Sequence, residues 1–227
     1  MGERKERQAQ IQQAIKQLVA AVDAHPDEVE RYYELGIALT EQQSYPQAEE
    51  LLKRALSHFN GDNHAESLLR YGLGNVYYAS GLYQEALGEF QQVRDEYLKG
   101  QAYMMIAQTY YAQKKYQQAL VFALTASEQL KRDSAPLTLM GNIFMTLGNF
   151  EKAYSYYTKA LTVNGQDLQA RFQRGVVLTV QGKDPAADFA FVKRQNSAFY
   201  ERMQARLADT QKFMQQTVRH QQEKNDE

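Results

Sequence analysis

Histidine and carboxylate side chains are the first candidates for chemistry in this chain, because its 227 residues contain four histidines and no cysteine. His58 and His64 lie close to Asp62 and Glu66, and imidazole and carboxylate groups together can bind a divalent metal ion. A polar helix end followed by a loop is the commoner explanation of such a stretch, so we expect no metal site. The lack of cysteine excludes disulfides, thiolate catalysis and Cys-ligated zinc.

The remaining polar residues do not form a known catalytic arrangement. The sequence contains no HExxH motif, no glycine-rich phosphate loop and no nucleophile elbow. Serine and aspartate residues are scattered without a histidine partner, and Gly72-x-Gly74 lies inside a helix-forming pattern that packing explains. We therefore expect a protein that is not an enzyme and that binds no cofactor or metal ion.

The net charge and the hydropathy of the chain narrow the possible classes of protein further. Lys and Arg number 26 against 27 Asp and Glu, a net charge of −1, and a protein of general nucleic-acid affinity needs a basic surplus. The N-terminal residues lack the apolar core of a signal peptide, and no stretch approaches the length of a membrane span. The sequence predicts a soluble cytoplasmic protein whose partners include neither nucleic acid nor membrane.

Two series of small residues recur along the chain with a shared period. The first series, at spacings of 34, 38, 33, 34 and 34 residues, is Ala14, Ala48, Ala86, Ala119, Ala153 and Ala187. The second series, at spacings of 38, 33, 34 and 34, is Gly36, Gly74, Ala107, Gly141 and Gly175. A common period of this length indicates a tandem array in which one supersecondary unit stacks repeatedly on its neighbours.

Each unit of this array is predicted to be a helix, a turn and a second helix. Each residue of the second series lies in a ladder of mainly apolar side chains at i, i+3, i+4 and i+7, which is one face of a helix. Glycine inside a helix costs about 1 kcal/mol relative to alanine, so its recurrence predicts close approach of a second helix backbone. Gly81, Gly148 and Gly182 follow seven residues later, where a helix end favours a left-handed residue.

These ladders resemble the signature of the tetratricopeptide repeat (TPR), Trp-x-x-Leu-Gly-x-x-Tyr followed by Ala-x-x-x-Phe and Pro. Four units between about 29 and 163 match well. The fifth is degraded, because Arg174 replaces an apolar residue and Asp184-Pro185 replaces the aromatic residue after the turn. The resemblance implies an all-α fold, a right-handed superhelical solenoid of antiparallel helix pairs.

The predicted organisation has a cap at each end of the solenoid. An N-terminal capping helix covers 1–26 and the solenoid covers 27–196, with repeats at about 29–62, 67–99, 100–133, 134–167 and 168–196. A C-terminal capping helix covers 197–220, and 221–227 form a disordered tail. Four extra residues near 60–63 predict a longer helix that ends at Gly61, with a loop that contacts the partner as the alternative.

The family resemblance also implies a concave groove lined by the first helix of each unit. One step along each ladder gives fifteen groove-facing residues, none of them charged. Aromatic, methionine and amide side chains suit peptide binding, because they supply rigid area, adaptable contacts and hydrogen bonds to a backbone. The predicted partner-binding residues are Tyr33, Ile37, Tyr71, Asn75, Tyr78, Met104, Gln108, Tyr111, Thr138, Asn142, Met145 and Phe172; Thr40, Val176 and Thr179 complete the face.

The sequence thus predicts a non-catalytic scaffold or adaptor that binds a peptide or protein segment. Two alternatives stay open: a structural homo-oligomer whose groove is filled by its own C-terminal helix or by a second copy, and a sensor of short signalling peptides. Some members of the family clamp acidic chaperone C-termini with Lys, Arg and Asn side chains. Here only Asn75 and Asn142 match, and without cations a carboxylate has no partner in this groove.

Overall fold

The chain folds as a succession of α-helices. The computed structural model describes residues 2–209, with side chains described from residue 11. The helices are α1 (Gly2–Ala24), α2 (Val29–Glu41), α3 (Tyr45–His58), α4 (Asn63–Ala79), α5 (Tyr83–Gln91), α6 (Glu96–Ala112), α7 (Tyr116–Gln129), α8 (Ala135–Thr146), α9 (Phe150–Val163), α10 (Leu168–Val180) and α11 (Ala186–Gln195). A further helix, α12, covers 197–209, and the described residues include no strand.

Two compact units divide the chain at residue 131. In unit 1 (residues 2–131), α1 packs on α2, and the helical hairpins α2–α3, α4–α5 and α6–α7 follow one another. In unit 2 (residues 132–209 of the described chain), the hairpins are α8–α9 and α10–α11, with α9 packed on α10. The predicted all-α fold of repeated helix pairs is confirmed.

The two ends of the chain follow the predicted caps only in part. Within α1, Ala14 is exposed while Ile15 and Leu18 are half-buried, so Ala14 does not belong to the series of packing alanines. Residues 197–209 are helical, and the C-terminal cap over 197–220 stays a prediction. The predicted continuation of that helix over 210–220 and the predicted tail at 221–227 lie outside the described residues.

The extra residues between the first two hairpins lengthen the helix that follows them, whereas the sequence predicts that they lengthen the helix before them. The sequence predicts that the helix before them extends to Gly61, but α3 ends at His58 and α4 begins at Asn63. Asp62 accepts hydrogen bonds from the N–H groups of His64 and Ala65, so a strong N-cap starts the next helix early. The additional turn therefore belongs to α4, which has 17 residues.

The recurrent glycines make room for a side chain rather than for a helix backbone. A Cβ atom at Gly74 would lie 2.4 Å from the Phe90 ring, and one at Gly141 would lie 2.4 Å from the Tyr157 ring. At Gly36 the nearest atom belongs to Leu52, at 3.0 Å. The expected backbone approach is therefore wrong, because a large side chain from the second helix fills the space above each glycine.

The fifth repeat, formed by α10 and α11, also departs from the predicted register. Its buried position on the second helix is Asp188, not Ala187, which is exposed. In earlier units the buried alanine follows the left-handed turn residue by five residues, as Ala153 follows Gly148, whereas Asp188 follows Gly182 by six. Because α11 starts only at Ala186, after Asp184-Pro185, its buried face is displaced by one residue.

A left-handed residue closes the first helix of every hairpin. Gly81, Gly148 and Gly182 have φ values of 82°, 72° and 68°, which confirms the prediction. The same position in the other two hairpins holds Gln43 and Lys114, each with φ of 60°. A side chain in this conformation carries a steric cost of about 1 kcal/mol, so these two turns are strained where the other three are not.

Lys114→Gly is expected to raise the free energy of unfolding by about 0.5–1 kcal/mol, because removal of the Cβ atom relieves this strain. The matched control is Lys114→Ala, which removes the same charge but keeps the Cβ atom. Urea unfolding followed by circular dichroism measures both variants. An equal gain in the two would show that charge, not backbone conformation, is responsible.

The start of α6 is held by a small polar cluster in unit 1. The Oδ1 atom of Asp95 accepts from the N–H groups of Tyr97 and Leu98, and its Oδ2 atom lies 3.0 Å from Nδ1 of His64. The N–H groups of Arg94 and Asp95 donate to the buried hydroxyl of Ser67. These bonds fix the loop that follows α5. Helix α5 is the short second helix of the α4–α5 hairpin, with nine residues.

Stability is expected to depend on pH through this cluster. The hydrogen bond to Asp95 raises the pKa of His64 above its ordinary 6.5, and the same bond lowers the pKa of Asp95 below its ordinary 3.8. The charges of Glu30 and Asp62 also raise the pKa of His64. The interaction therefore stabilises the fold most between about pH 4 and 6.5, and it weakens as His64 deprotonates above that range or Asp95 protonates below it.

His64→Gln is expected to flatten the fall in melting temperature between pH 6 and 8. The same substitution at the exposed His58, which lies 3.5 Å from Asp27, measures how much a surface histidine–carboxylate contact contributes to the profile. Because the His64 side chain is half exposed, solvent screening keeps the effect small. A wild-type profile retained by His64→Gln would contradict the proposed coupling.

Candidate partner-binding groove

Three first helices of unit 1 carry most of the predicted groove face. Helix α2 packs on α4, and α4 packs on α6, so the equivalent faces of successive helices lie side by side. On α4 this face consists of Tyr71, Asn75 and Tyr78, which are spaced at i, i+4 and i+7. The helices begin at fixed points because Asp62 caps α4 and Asp95 caps α6.

Tyr33 and Tyr71 form an aromatic contact between neighbouring units. Their ring centroids are 6.3 Å apart, and Tyr71 also lies 5.7 Å from the ring of Phe90. Burial raises the pKa of Tyr33 to about 12, with a smaller contribution from Tyr71. Burial likewise raises the pKa of Tyr71, and a hydrogen bond with Asn75 offsets part of the rise. Both phenols are therefore neutral at physiological pH.

Two further tyrosines of the face are held by the aromatic residue that starts the following helix. The rings of Tyr78 and Tyr83 are 5.9 Å apart with an angle of 53° between their planes, and those of Tyr111 and Tyr116 are 5.9 Å apart at 54°. Burial, with Tyr83 nearby, raises the pKa of Tyr78. The same tyrosine pair thus recurs in two units, and it restricts the rotation of the groove-facing ring.

Exposure shows which of the predicted residues of unit 1 a ligand could reach. Met104 is 8 % exposed, so it belongs to the core and offers a ligand little surface. Ile37 is exposed. The half-buried members of the face, each with a solvent-accessible part, are Tyr33, Tyr71, Asn75, Tyr78, Gln108 and Tyr111.

In unit 2 the predicted polar residues are engaged within the protein. Thr138 is buried, and its hydroxyl donates to the carboxylate of Asp167 at 3.0 Å. The same carboxylate accepts from Ser134 and from the N–H of Ala170. The Thr138 hydroxyl thus helps to fix the N-cap of α10, and the buried side chain offers a ligand little surface. Asn142 is half-buried and accepts a hydrogen bond of 2.8 Å from the Tyr157 hydroxyl.

The sequence predicts Phe172 on the groove face, but the residue lies in the core of unit 2, with 1 % of its surface exposed. Its ring is 5.3 Å from that of Phe189 and 6.1 Å from that of Tyr200 on α12. Met203 completes this cluster, and the half-buried Met145 packs against it. Helix α12 thus covers Phe172 and Val176, whereas Thr179 stays exposed; no repeat pattern in the sequence indicates this cover.

The described residues also allow a search for a metal site and for a membrane-spanning helix. His58 lies 3.5 Å from Asp27, whereas His64 contacts Asp95, so the two histidines have different carboxylate partners. Between residues 2 and 209 there is no group of three or more His, Asp or Glu side chains placed to hold a metal ion. Within the same range, every helix is too short or too polar to cross a bilayer.

Comparison with protein families finds matches over most of the helical hairpins. Three family models described as tetratricopeptide repeat match residues 27–99, 71–134 and 136–167. A search of curated proteins finds no match.

Solved structures with a similar arrangement of helices include PilF of Pseudomonas aeruginosa and TTC0263 of Thermus thermophilus. PilF has a TM-score of 0.63 at 16% identity, over 90% of this chain and 94% of its own. TTC0263, described as a thermophilic TPR protein, has a TM-score of 0.62 at 21% identity, over 80% and 98%. YrrB, described as a TPR protein with an unusual peptide-binding site, has a TM-score of 0.53 at 16% identity, over 83% and 97%. At these identities the similarity establishes the fold alone.

Proposed function

Because this chain belongs to the tetratricopeptide repeat family, we propose that it is a non-catalytic scaffold that binds a segment of another protein. The observation that carries the proposal is the uncharged face of α2, α4 and α6 in unit 1. The described residues contain no metal-binding cluster that would favour a catalytic function. The description of YrrB as a peptide-binding TPR protein supports this class of partner.

The chemistry of the face favours a partner segment of low charge. Ile37 and the tyrosine rings supply apolar area, and ring contacts already restrict Tyr78 and Tyr111, so little side-chain entropy is lost on binding. Asn75 and Gln108 offer amide groups that can pair with the backbone of an extended segment. An acidic segment would meet no Lys or Arg among these residues, so its carboxylates would lose hydration without gaining an ion pair.

The site we propose is smaller than the face predicted from the sequence. It comprises the groove-facing residues of unit 1, namely Tyr33, Ile37, Tyr71, Asn75, Tyr78, Gln108 and Tyr111. Asn142 and Met145 of unit 2 remain half-buried, but next to Met145 the face is covered by α12. That cover supports the alternative in which the chain occupies part of its own groove.

The test is affinity capture from a cell lysate with quantitative mass spectrometry, followed by titration of the captured partner. The variant Ile37→Glu/Asn75→Glu/Gln108→Glu places three charges on the face. The matched control, Gln47→Glu/Gln84→Glu/Gln91→Glu, adds three charges at exposed positions of α3 and α5. We expect the groove variant to weaken binding at least about tenfold, which is about 1.4 kcal/mol, and the control to bind like wild type.

Three other outcomes would overturn the proposal. Partners retained equally by both variants would place the interaction outside the groove face. Capture of the chain itself alone, lost in the groove variant, would favour the homo-oligomer with a self-occupied groove. If no protein were captured but a short synthetic peptide bound the purified chain, the sensor of short signalling peptides would be favoured.

A further inference from the structure

The outer face of α7 differs from that of the equivalent helix in the first hairpin. Val121 and Leu124 of α7 are 62% and 51% exposed. They lie two and five residues after the buried Ala119, and the same offsets from Ala48 in α3 hold Glu50 and Lys53. Charged residues keep the outer face of α3 solvated, whereas α7 presents two large aliphatic side chains to water.

Charge is almost absent from α7 as a whole. Among its 14 residues, from Tyr116 to Gln129, Glu128 is the single charged one. The second helix of the first hairpin, α3, has four Asp, Glu, Lys or Arg residues in the same length. An exposed helix face that lacks charge and carries aliphatic residues is typical of a surface that another helix covers.

The exposed residues of α7 form a stripe with the spacing of a helix–helix seam. Gln117, Val121, Leu124 and Glu128 are all exposed, and they are separated by four, three and four residues. This alternation keeps side chains on one side of a helix over three turns. The stripe has aliphatic residues at its centre and polar residues at its ends, so a partner helix of matching pattern would bury the apolar part.

That stripe is complementary to itself when a second copy runs antiparallel. A two-fold axis between residues 122 and 123 sets Val121 against the partner's Leu124, and Gln117 against the partner's Glu128. The aliphatic pairs meet at the centre, and at each end an amide can donate to a carboxylate. No like charges meet across the axis, and each copy contributes the same surface, as a two-fold interface requires.

We propose that α7 is a dimerisation helix, through which two copies of this chain pack antiparallel around Val121 and Leu124. A helix of 14 residues is about 21 Å long, and one such contact buries less than the roughly 800 Å² per partner of a stable complex. The dimer is therefore weak and reversible. Since the groove residues lie on α2, α4 and α6, dimerisation leaves both grooves open and yields a bivalent scaffold.

Sedimentation velocity over a concentration series tests whether the dimer exists and where it forms. The variant Val121→Lys/Leu124→Lys sets lysines against each other across the axis, and we expect it to raise the dimer dissociation constant at least about tenfold. The control Gln47→Lys/Ser57→Lys places two lysines at exposed positions of α3 and should dimerise like wild type. A wild-type chain that stays monomeric at all concentrations, or a double-lysine α7 variant that dimerises normally, would overturn the proposal.

Disulfide trapping tests the antiparallel register, because the natural chain has no cysteine to interfere. A disulfide needs Cβ atoms about 3.5–4.5 Å apart. A mixture of Val121→Cys and Leu124→Cys chains should therefore cross-link faster than either chain alone. The control mixture is Glu50→Cys with Lys53→Cys on α3. Equal rates for the α3 and α7 mixtures, or faster trapping of one α7 variant with itself, would contradict the antiparallel pair.

Discussion

Replacement of Asp188 by alanine is expected to lower the free energy of unfolding of unit 2 by about 3–5 kcal/mol. Asp188 is 3% exposed, and its carboxylate accepts two hydrogen bonds from Arg174, at 2.9 and 2.7 Å. Arg171 lies 3.6 Å from the same carboxylate, and the bond to Asp188 raises the pKa of Arg174. Loss of the carboxylate leaves two largely buried guanidinium groups without their counter-charge. Chemical denaturation monitored by circular dichroism measures the loss.

A double variant separates the cost of an orphaned charge from the value of the ion pair itself. Arg174 occupies the ladder position that holds an apolar residue in the other units, such as Leu73, and Asp188 stands where they have a buried alanine, such as Ala86. Arg174→Leu/Asp188→Ala restores the pattern of those units, so we expect it to recover most of the stability lost by Asp188→Ala. A double variant as unstable as the single one would show that Arg171 or the shifted register, not Arg174, needs the carboxylate.

The Arg174–Asp188 pair also shows which features of the fifth repeat cannot be predicted from the sequence. The repeat period predicts both helices of the unit, and it correctly marks Arg174 as a departure from the apolar ladder. It does not reveal that Asp188 compensates, because the compensation requires a one-residue shift of the buried face of α11. Periodicity assumes a constant register, and the late start of α11 after Asp184-Pro185 breaks that assumption.

The residues of the candidate groove are likewise predicted only in part by the sequence. Helix spacing alone places Tyr71, Asn75 and Tyr78 on one face of α4, and the structure finds them half-buried there. The same spacing also selects Phe172, which the structure buries because α12 returns over α10. Local periodicity gives the direction of a side chain, but only the tertiary path of α12 determines what covers that side chain.

Gly74→Ala is expected to lower the free energy of unfolding by about 1–3 kcal/mol, although alanine is normally the better helix former. The added methyl group would lie 2.4 Å from Cε1 of Phe90, whose ring is 1 % exposed and packed against Tyr71. A buried ring with neighbours on both sides has little room to retreat, so the cost appears as overpacking. Thermal and urea unfolding of the purified variant measure it.

The matched control is Gly88→Ala in the second helix of the same hairpin. No atom lies within 4 Å of a Cβ built at Gly88, which is exposed, so the same substitution is expected to stabilise the protein by about 0.5–1 kcal/mol. The two changes are chemically identical and differ only in what the new methyl group meets. If Gly74→Ala also stabilised the protein, Phe90 would be free to move and the glycine would have no packing role.

The third hairpin indicates that changes at Gly74 and Phe90 are coupled in their effect on stability. Where the first helix has Gly36 or Gly141, the residue 16 positions later is Leu52 or Tyr157, but where it has Ala107 that residue is Ala123. The volume above the first helix is thus shared between the two positions. Phe90→Ala in a Gly74→Ala background reproduces the third-hairpin combination, so we expect the pair to be more stable than the sum of the two single changes predicts, by about 1 kcal/mol or more. Strict additivity would show that Ala107 and Ala123 are small for unrelated reasons.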